Sequence, residues 1–138
     1  IKIQVSKTFL RKKTKLKVRL AGGTAISLWT RGSYVTGDFF DKIYMLEVAS
    51  KDFDKMKDEL DKRAISYTES EKKDAKPLIF LSAKRDFSVE RIEGIPVMPL
   101  KELAEWCKKL DLDAALEHLD NLYNLGLKER YSEVHTNV

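Results

Sequence analysis

Two adjacent glycines and two nearby carboxylates are the residues of this chain whose types and spacing best suit chemistry. Gly22 and Gly23 stand between a run that alternates like a strand and a small-residue segment that favours a helix. Adjacent glycines let a ligand approach bare N–H groups, and a helix beginning at Thr24 directs its positive end to the same place. Asp38 and Asp41 follow on the next extended segment. These groups predict a pocket for a phosphate bound with a metal ion; the alternative is a tight strand-to-helix turn that binds nothing.

The elements that must position these groups follow from the spacing of the apolar residues. Alternation from Lys15 to Leu20 predicts a strand, and the β-prone run from Asp38 to Val48 predicts a central strand. Further strands are predicted over residues 65–68, 78–81 and 87–92, and helices over 24–29, over 51–63, from Pro99 and from about Leu112 to Gly126. The predicted fold is an α/β domain of the α+β type, a small mixed β-sheet flanked by helices with a helical C-terminal third.

Length and composition fit one domain. With 138 residues, of which 43% are apolar, the chain is long enough for a single core and is not of disordered composition. We predict a sheet and helix core over 1–99, a helix pair over 100–126 and a tail over 127–138. No apolar run approaches the ~20 residues of a membrane helix, the start is not signal-like, and the single cysteine, Cys107, cannot form an internal disulfide. These features predict a cytoplasmic protein that does not bind membranes.

The positive charge is concentrated at the start of the chain. Residues 1–20 contain eight basic side chains and no acid, whereas the remainder has 18 basic and 22 acidic residues and so carries −4. Such a face can bind nucleic acid or substrate phosphates, because neutralised phosphates release counterions. The alternative is that these side chains form the solvated face of an edge strand, where lysines discourage aggregation.

The glycine pair and its surroundings resemble a known family. The segment Leu20-Ala21-Gly22-Gly23-Thr24-Ala25 resembles the nucleotidyltransferase superfamily with the polymerase beta fold, and within it the small abortive-infection-type and minimal nucleotidyltransferases. In that family a strand ends in Gly-Gly or Gly-Ser, a helix follows, and the next strand carries a carboxylate–apolar–carboxylate triplet. Arg31, Thr36 and Asp38 are similar to the Arg, Ser/Thr and Asp that lead into the triplet. Residues 94–103 also resemble the family segment that leads into a helix bearing a lysine.

The resemblance implies a reaction and a site. The family transfers a nucleotidyl group from a nucleoside triphosphate to a hydroxyl, with Mg²⁺ ions held by carboxylates between the attacking and leaving oxygens. It implies that the catalytic and metal-binding residues are Asp38 and Asp41, and that the nucleotide is bound by Gly22, Gly23, Thr24 and Ser27. On this view the partners are a nucleoside triphosphate and Mg²⁺.

Two departures from the family pattern weaken the expected chemistry. The acids in Asp38-Phe39-Phe40-Asp41 are three residues apart, and on a regular strand such residues point to opposite faces unless a bulge intervenes. The later strand, residues 78–82, has no acid at the place of the family's third carboxylate, so Asp86 or Glu90 would have to substitute from a different place. Alternatively, Glu47 or Glu90 could complete the set.

The sequence therefore predicts a nucleotidyltransferase-like protein that binds a nucleotide with a divalent metal and is weak or inactive as an enzyme. The competing hypothesis is a non-catalytic module of the same fold, for example one half of a toxin–antitoxin pair. Such a module would bind nucleic acid or a partner protein through its basic N-terminal face.

Overall fold

The computed structural model describes residues 16–33, 44–69 and 79–126, and within these ranges the chain forms six strands and four helices. The strands are β1 (Val18–Leu20), β2 (Tyr44–Ala49), β3 (Tyr67–Thr68), β4 (Ile79–Lys84), β5 (Glu90–Ile92) and β6 (Ile95–Val97). The helices are α1 (Gly22–Trp29), α2 (Phe53–Lys62), which follows a short 3₁₀ turn (Ser50–Asp52), α3 (Leu100–Lys109) and α4 (Asp113–Tyr123). None of these helices is both long and apolar enough to span a membrane.

The strands form one mixed sheet in the order β3-β4-β2-β1-β6-β5. Strand β1 pairs antiparallel with β2 and parallel with β6, while β4 pairs parallel with both β2 and β3. The predicted α+β class and the central position of the strand after the glycine pair are confirmed. The edge-strand interpretation of the basic run is wrong for Val18–Leu20, because β1 has a neighbour on each side.

Helix α2 covers one face of the sheet, which we call the α2 side. Every second strand residue points to this face, and the resulting apolar layer packs on the stripe formed by Phe53, Met56 and Leu60. The strand residues of this layer are Val18, Leu20, Leu46, Val48, Ile79, Leu81 and Ile95. Met56 and Leu60 have no exposed surface, so burial of each stabilises the fold by about 1.5–3 kcal/mol.

The opposite face carries α1 and α3 and is called here the α1 side. Helix α1 packs on β2 and on α3, and α3 forms a hairpin with α4. Small residues such as Ala21, Ala25 and Ala104 line the contact, and the larger members of this second core are Ile26, Leu103, Cys107, Leu116 and Leu119. The alternate strand residues facing this side include Arg19 and Glu47, so polar groups enter the sheet here.

Several element ends differ from the prediction. Helix α1 begins at Gly22 instead of Thr24, because the Ala21 carbonyl at the end of β1 already accepts the Ala25 N–H at 3.1 Å. Helix α4 ends at Tyr123, before the predicted stop at Gly126, since Asn124 adopts the left-handed conformation with φ of 53°.

Candidate functional site

The first turn of α1, residues Gly22, Gly23 and Thr24, is called here the glycine turn. Gly22 has a φ of 54°, and a Cβ atom on it would lie 2.6 Å from Met45 Sδ and 3.1 Å from Trp106 Cζ2. Both the backbone conformation and the space therefore require glycine. The open side of Gly22 is filled by protein side chains, so this residue supports the turn from inside.

Thr24 joins the glycine turn to β2. The Ala21 N–H donates to the Met45 carbonyl at 2.8 Å, but the Ala21 carbonyl is taken by the helix. The Met45 N–H instead donates to Thr24 Oγ1 at 2.9 Å. The buried hydroxyl thus completes a strand ladder that the start of α1 interrupts, which is a structural role for a residue predicted to bind nucleotide.

Gly23 is buried within the same turn, and Ser27 lies exposed one turn further along α1. Ala21 at the N-cap has no side chain that caps the helix, and the first turn contains no acid. The positive end of α1 is therefore not neutralised by a residue of its own first turn, which is the electrostatic condition for binding an anion.

Asp38, Asp41 and Thr36 lie outside the described residues, so the predicted metal-binding pair is not placed. Among residues 16–33, 44–69 and 79–126, no three His, Cys, Asp or Glu side chains are grouped closely enough to hold a metal ion. On β4 the residue in register with Glu47 is Ser82, so no acid faces Glu47 from that strand.

The three acids suggested for the third carboxylate have other partners. Asp86 Oδ1 accepts a hydrogen bond from Lys17 Nζ at 2.6 Å. Glu90 Oε1 accepts the Leu100 N–H at 3.2 Å, at the start of α3, and Glu47 Oε1 accepts the Arg19 Nε–H at 2.7 Å. Each carboxylate is therefore engaged in a structural hydrogen bond within the described part of the chain.

The most buried charge on the α1 side is Arg19, which sequence analysis assigned to a solvated or phosphate-binding face. Its side chain has no exposed surface. Besides Glu47, it binds both carboxylate oxygens of Glu102, through Nη1 at 2.9 Å and through Nη2, and Nη1 also donates to the Ser88 carbonyl at 3.0 Å. The guanidinium carbon lies 4.8 Å from the centre of the Phe87 ring. We call Arg19, Glu47, Glu102 and Phe87 the Arg19 cluster.

The electrostatics of the Arg19 cluster favour the charged forms of Arg19 and Glu102. Burial by itself would lower the pKa of the Arg19 guanidinium, but its hydrogen bonds with Glu102 and Glu47 outweigh this and raise the pKa above its ordinary value. The hydrogen bond from Arg19 lowers the pKa of Glu102 against the opposing effect of burial, and Lys84, 3.4 Å from Glu102 Oε2, lowers it further. Arg19 and Glu102 therefore form an ion pair at neutral pH.

A sequence signal for the Arg19 cluster exists but is weak. Arg19 stands between Val18 and Leu20, and Glu47 stands between Leu46 and Val48, so each charge interrupts an apolar strand. A charged residue within a buried strand needs a partner, and an opposite charge on the neighbouring strand supplies one. Glu102, on a helix far along the chain, has no comparable signal.

The two described members of the basic N-terminal face each have an acidic partner, Arg19 in the interior and Lys17 at the surface. Arg19 is enclosed by its cluster, and Lys17 Nζ lies 2.6 Å from Asp86 Oδ1 and 5.1 Å from the Phe87 ring centre. The other six basic residues of this face lie outside the described ranges. The hypothesis that the face binds nucleic acid therefore depends on those six residues.

Two further reactive side chains are accounted for by packing and hydrogen bonding. Cys107 is buried in the α1–α3–α4 core, and burial raises the pKa of its thiol to about 11, so it is unreactive at neutral pH. His118 Nε2 lies 2.8 Å from Ser33 Oγ, which in turn donates to the Thr30 carbonyl at 2.7 Å. The Thr30 carbonyl thus provides an acceptor for the single proton of the serine hydroxyl.

Comparison of the chain with protein-family models, with curated proteins and with solved structures finds no match in any of the three.

Proposed function

We propose that this chain is a nucleotidyltransferase-like protein that binds a nucleoside triphosphate with a divalent metal at the positive end of α1. The observation that supports this most is the connection from β1 into α1. The strand enters the helix through Gly22-Gly23 with no intervening loop, and the next strand returns as its antiparallel neighbour. This is the order of elements that the sequence resemblance implies.

Within the glycine turn, the residues divide into two groups. Gly22 and Thr24 contact Met45 and hold the turn on β2, so we assign them to the support of the site. Gly23 and Ser27 are the residues of α1 that we assign to the phosphates. The N–H groups of an uncapped helix start are donors suited to phosphate oxygens.

We assign Asp38 and Asp41 to the metal ion. A divalent cation such as Mg²⁺ would neutralise the triphosphate and, in an active enzyme, polarise the phosphoryl group that is attacked. The carboxylates belong to the segment that leads into β2, the strand to which the glycine turn is hydrogen-bonded.

We further propose that transfer activity is weak or absent. Strand β4 offers Ser82 opposite Glu47, and both Glu47 and Glu90 are already hydrogen-bonded elsewhere. A metal held by too few carboxylates loses the geometry that orients the attacking oxygen.

Binding is tested by thermal unfolding with Mg²⁺ and each nucleoside triphosphate in turn. The expected result is a rise in Tm with at least one nucleotide, since a ligand at a hundredfold excess over its Kd stabilises by about 2.7 kcal/mol. Gly23→Val should abolish the rise. Gly32→Val is a control for general loss of stability, because Gly32, with a φ of 80°, lies beyond the other end of α1 and has no atom near its Cβ position. A rise that persists in Gly23→Val, or no rise in the wild type, contradicts the binding proposal.

Activity is tested by incubation with labelled nucleoside triphosphates, Mg²⁺ or Mn²⁺ and a pool of RNA and protein acceptors. Little or no label transfer is expected. Transfer that disappears in Asp38→Ala would show an efficient site and overturn the proposed weakness while supporting the assignment of Asp38.

A further inference from the structure

Helix α3 contacts the β1–α1 segment at two places. At the first, Glu102 binds the buried Arg19 of β1 through both carboxylate oxygens. At the second, the Trp106 ring lies over Gly22, with Cζ2 3.1 Å from the position of a Cβ atom on that residue. Glu102 and Trp106 are four residues apart, so they lie on the same face of α3, one turn from each other.

The Arg19–Glu102 contact and the Gly22–Trp106 contact should therefore change together when α3 moves. Arg19 and Gly22 are three residues apart across the end of β1, and Glu102 and Trp106 are about one turn apart on α3. A shift of α3 that lengthened the ion pair would also move the indole away from Gly22. Trp106 and Met45 together fill the space beside Gly22, so the indole supports the conformation of the glycine turn.

The apolar contacts of α3 define its position relative to β1 and α1 less precisely than the Arg19–Glu102 pair does. Leu103 and Cys107 pack in the core with α1 and α4, and such burial is non-directional, so it tolerates a small slide of the helix. A two-oxygen arginine–carboxylate pair has a defined geometry. Because Arg19 is fully buried, its partners are also costly to lose.

We infer that Glu102 is a positioning residue for the glycine turn, acting through Arg19 to hold Trp106 against Gly22. Helix α3 then acts as a clamp. Its position relative to β1 determines how rigidly the first turn of α1 is held. The part of this inference that concerns nucleotide affinity rests on the proposed function, whereas the clamp itself does not.

The test compares Glu102→Gln with Glu59→Gln. The two carboxylates have nearly equal exposure, 36% and 37%, but the partners of Glu59 are the surface residues Lys62 and Arg63. The protein is labelled with 5-fluorotryptophan, and its two fluorine resonances are assigned with Trp106→Phe. Amide exchange of Ala25, whose N–H bonds the Ala21 carbonyl, reports the order of the glycine turn.

In the ligand-free protein, Glu102→Gln should shift the Trp106 resonance, leave that of Trp29 in place and speed Ala25 exchange by about threefold, because a buried cation loses a charged partner. Glu59→Gln should change neither. A lowered Tm with an unmoved Trp106 resonance and unchanged Ala25 exchange would mean that Glu102 only adds stability, and the inference would fail.

The same variants are then titrated with the Mg²⁺ complex of the nucleoside triphosphate that gives the largest Tm rise. Affinity should fall several-fold in Glu102→Gln and stay unchanged in Glu59→Gln. If no nucleotide binds the wild type, the proposed function fails, and the clamp is still judged by the ligand-free spectra. If the spectra change but affinity does not, the clamp stands and its link to the site is wrong.

Discussion

The two sides of the sheet are held to their helices by different physical means. On the α2 side, a layer of apolar strand residues meets a single amphipathic helix. On the α1 side, a buried arginine, two glutamates and a glycine with left-handed backbone fix where α1 and α3 lie. Apolar burial tolerates changes of shape, whereas ion pairs and a filled glycine contact do not. The α1 side is therefore the side on which single substitutions should change geometry as well as stability.

The largest effect is expected for Arg19→Met. The change leaves Glu47 and Glu102 without the cation that both bind, and breaking a buried ion pair by removing one partner costs about 3–5 kcal/mol. Urea unfolding followed by circular dichroism measures the loss. Lys57→Met is the control, since Lys57 pairs with Asp54 at 3.7 Å on the surface, and its loss should be below about 1 kcal/mol. Equal losses for the two variants would show that the Arg19 cluster contributes no more than a surface pair.

On the α2 side, Leu60→Ala should cost about 2–5 kcal/mol, because Leu60 is fully buried and its removal leaves a cavity. Leu60→Met should cost less than about 1.5 kcal/mol, since this side responds to volume more than to shape. The free energies of unfolding of both variants provide the measurement. If Leu60→Met lowered the free energy of unfolding as much as Leu60→Ala, the α2 side would not tolerate changes of side-chain shape better than the α1 side.

Gly22→Ala should destabilise more than Gly32→Ala. Both glycines have positive φ, 54° and 80°, so each substitution pays the left-handed penalty of about 1–2 kcal/mol. Only at Gly22 does the new methyl group also meet Met45 and Trp106, and overpacking of this kind adds about 1–3 kcal/mol. The difference between the two unfolding free energies isolates the contact. A difference near zero would mean that the two side chains move aside freely.

The smallest effect concerns pH. Because the folded-state pKa of Glu102 is lowered, its contribution to stability is complete above the unfolded pKa of about 4.3 and is lost as the pH falls through the folded pKa. The Glu102 side chain is about one-third exposed, so this contribution should be below about 1 kcal/mol. Urea midpoints of the wild type and Glu102→Gln should differ at pH 7 and converge towards pH 3. A constant difference over that range would show that ionisation of Glu102 is not involved.

The α2 side was predictable from the sequence because it obeys periodicity. The stripe of Phe53, Met56 and Leu60 and the apolar residues of β2 and β4 identify their elements through local spacing alone. Strand β6 was missed, since Pro96 lacks an N–H and argues against an interior strand. Its hairpin to β5 turns through Glu93 and Gly94, both at positive φ, the two residues directly beyond the end of the predicted strand over 87–92.

The candidate site was predictable only in part. The glycine turn was located because Gly-Gly between a strand pattern and a helix pattern is a local signal. The inward side of that turn was not predictable, because Met45 and Trp106 reach Gly22 from distant segments. For the same reason the burial of Arg19 was missed, since its partner Glu102 lies 83 residues away in the chain. The metal-binding role of Asp38 and Asp41 stays a prediction.

The position of β1 at the centre of the sheet also bears on the order of folding. One neighbour of β1, strand β2, follows soon after it, but Leu20 pairs with Val97 on its other side, near the end of the described chain. During synthesis the N-terminal half therefore holds an unpaired strand edge, and the Arg19 charge lacks its Glu102 partner until α3 has been made. Closing such a long loop slows folding, and an open strand edge favours association between incomplete chains. Strand β1 is therefore paired along both edges only after β6 has been synthesised.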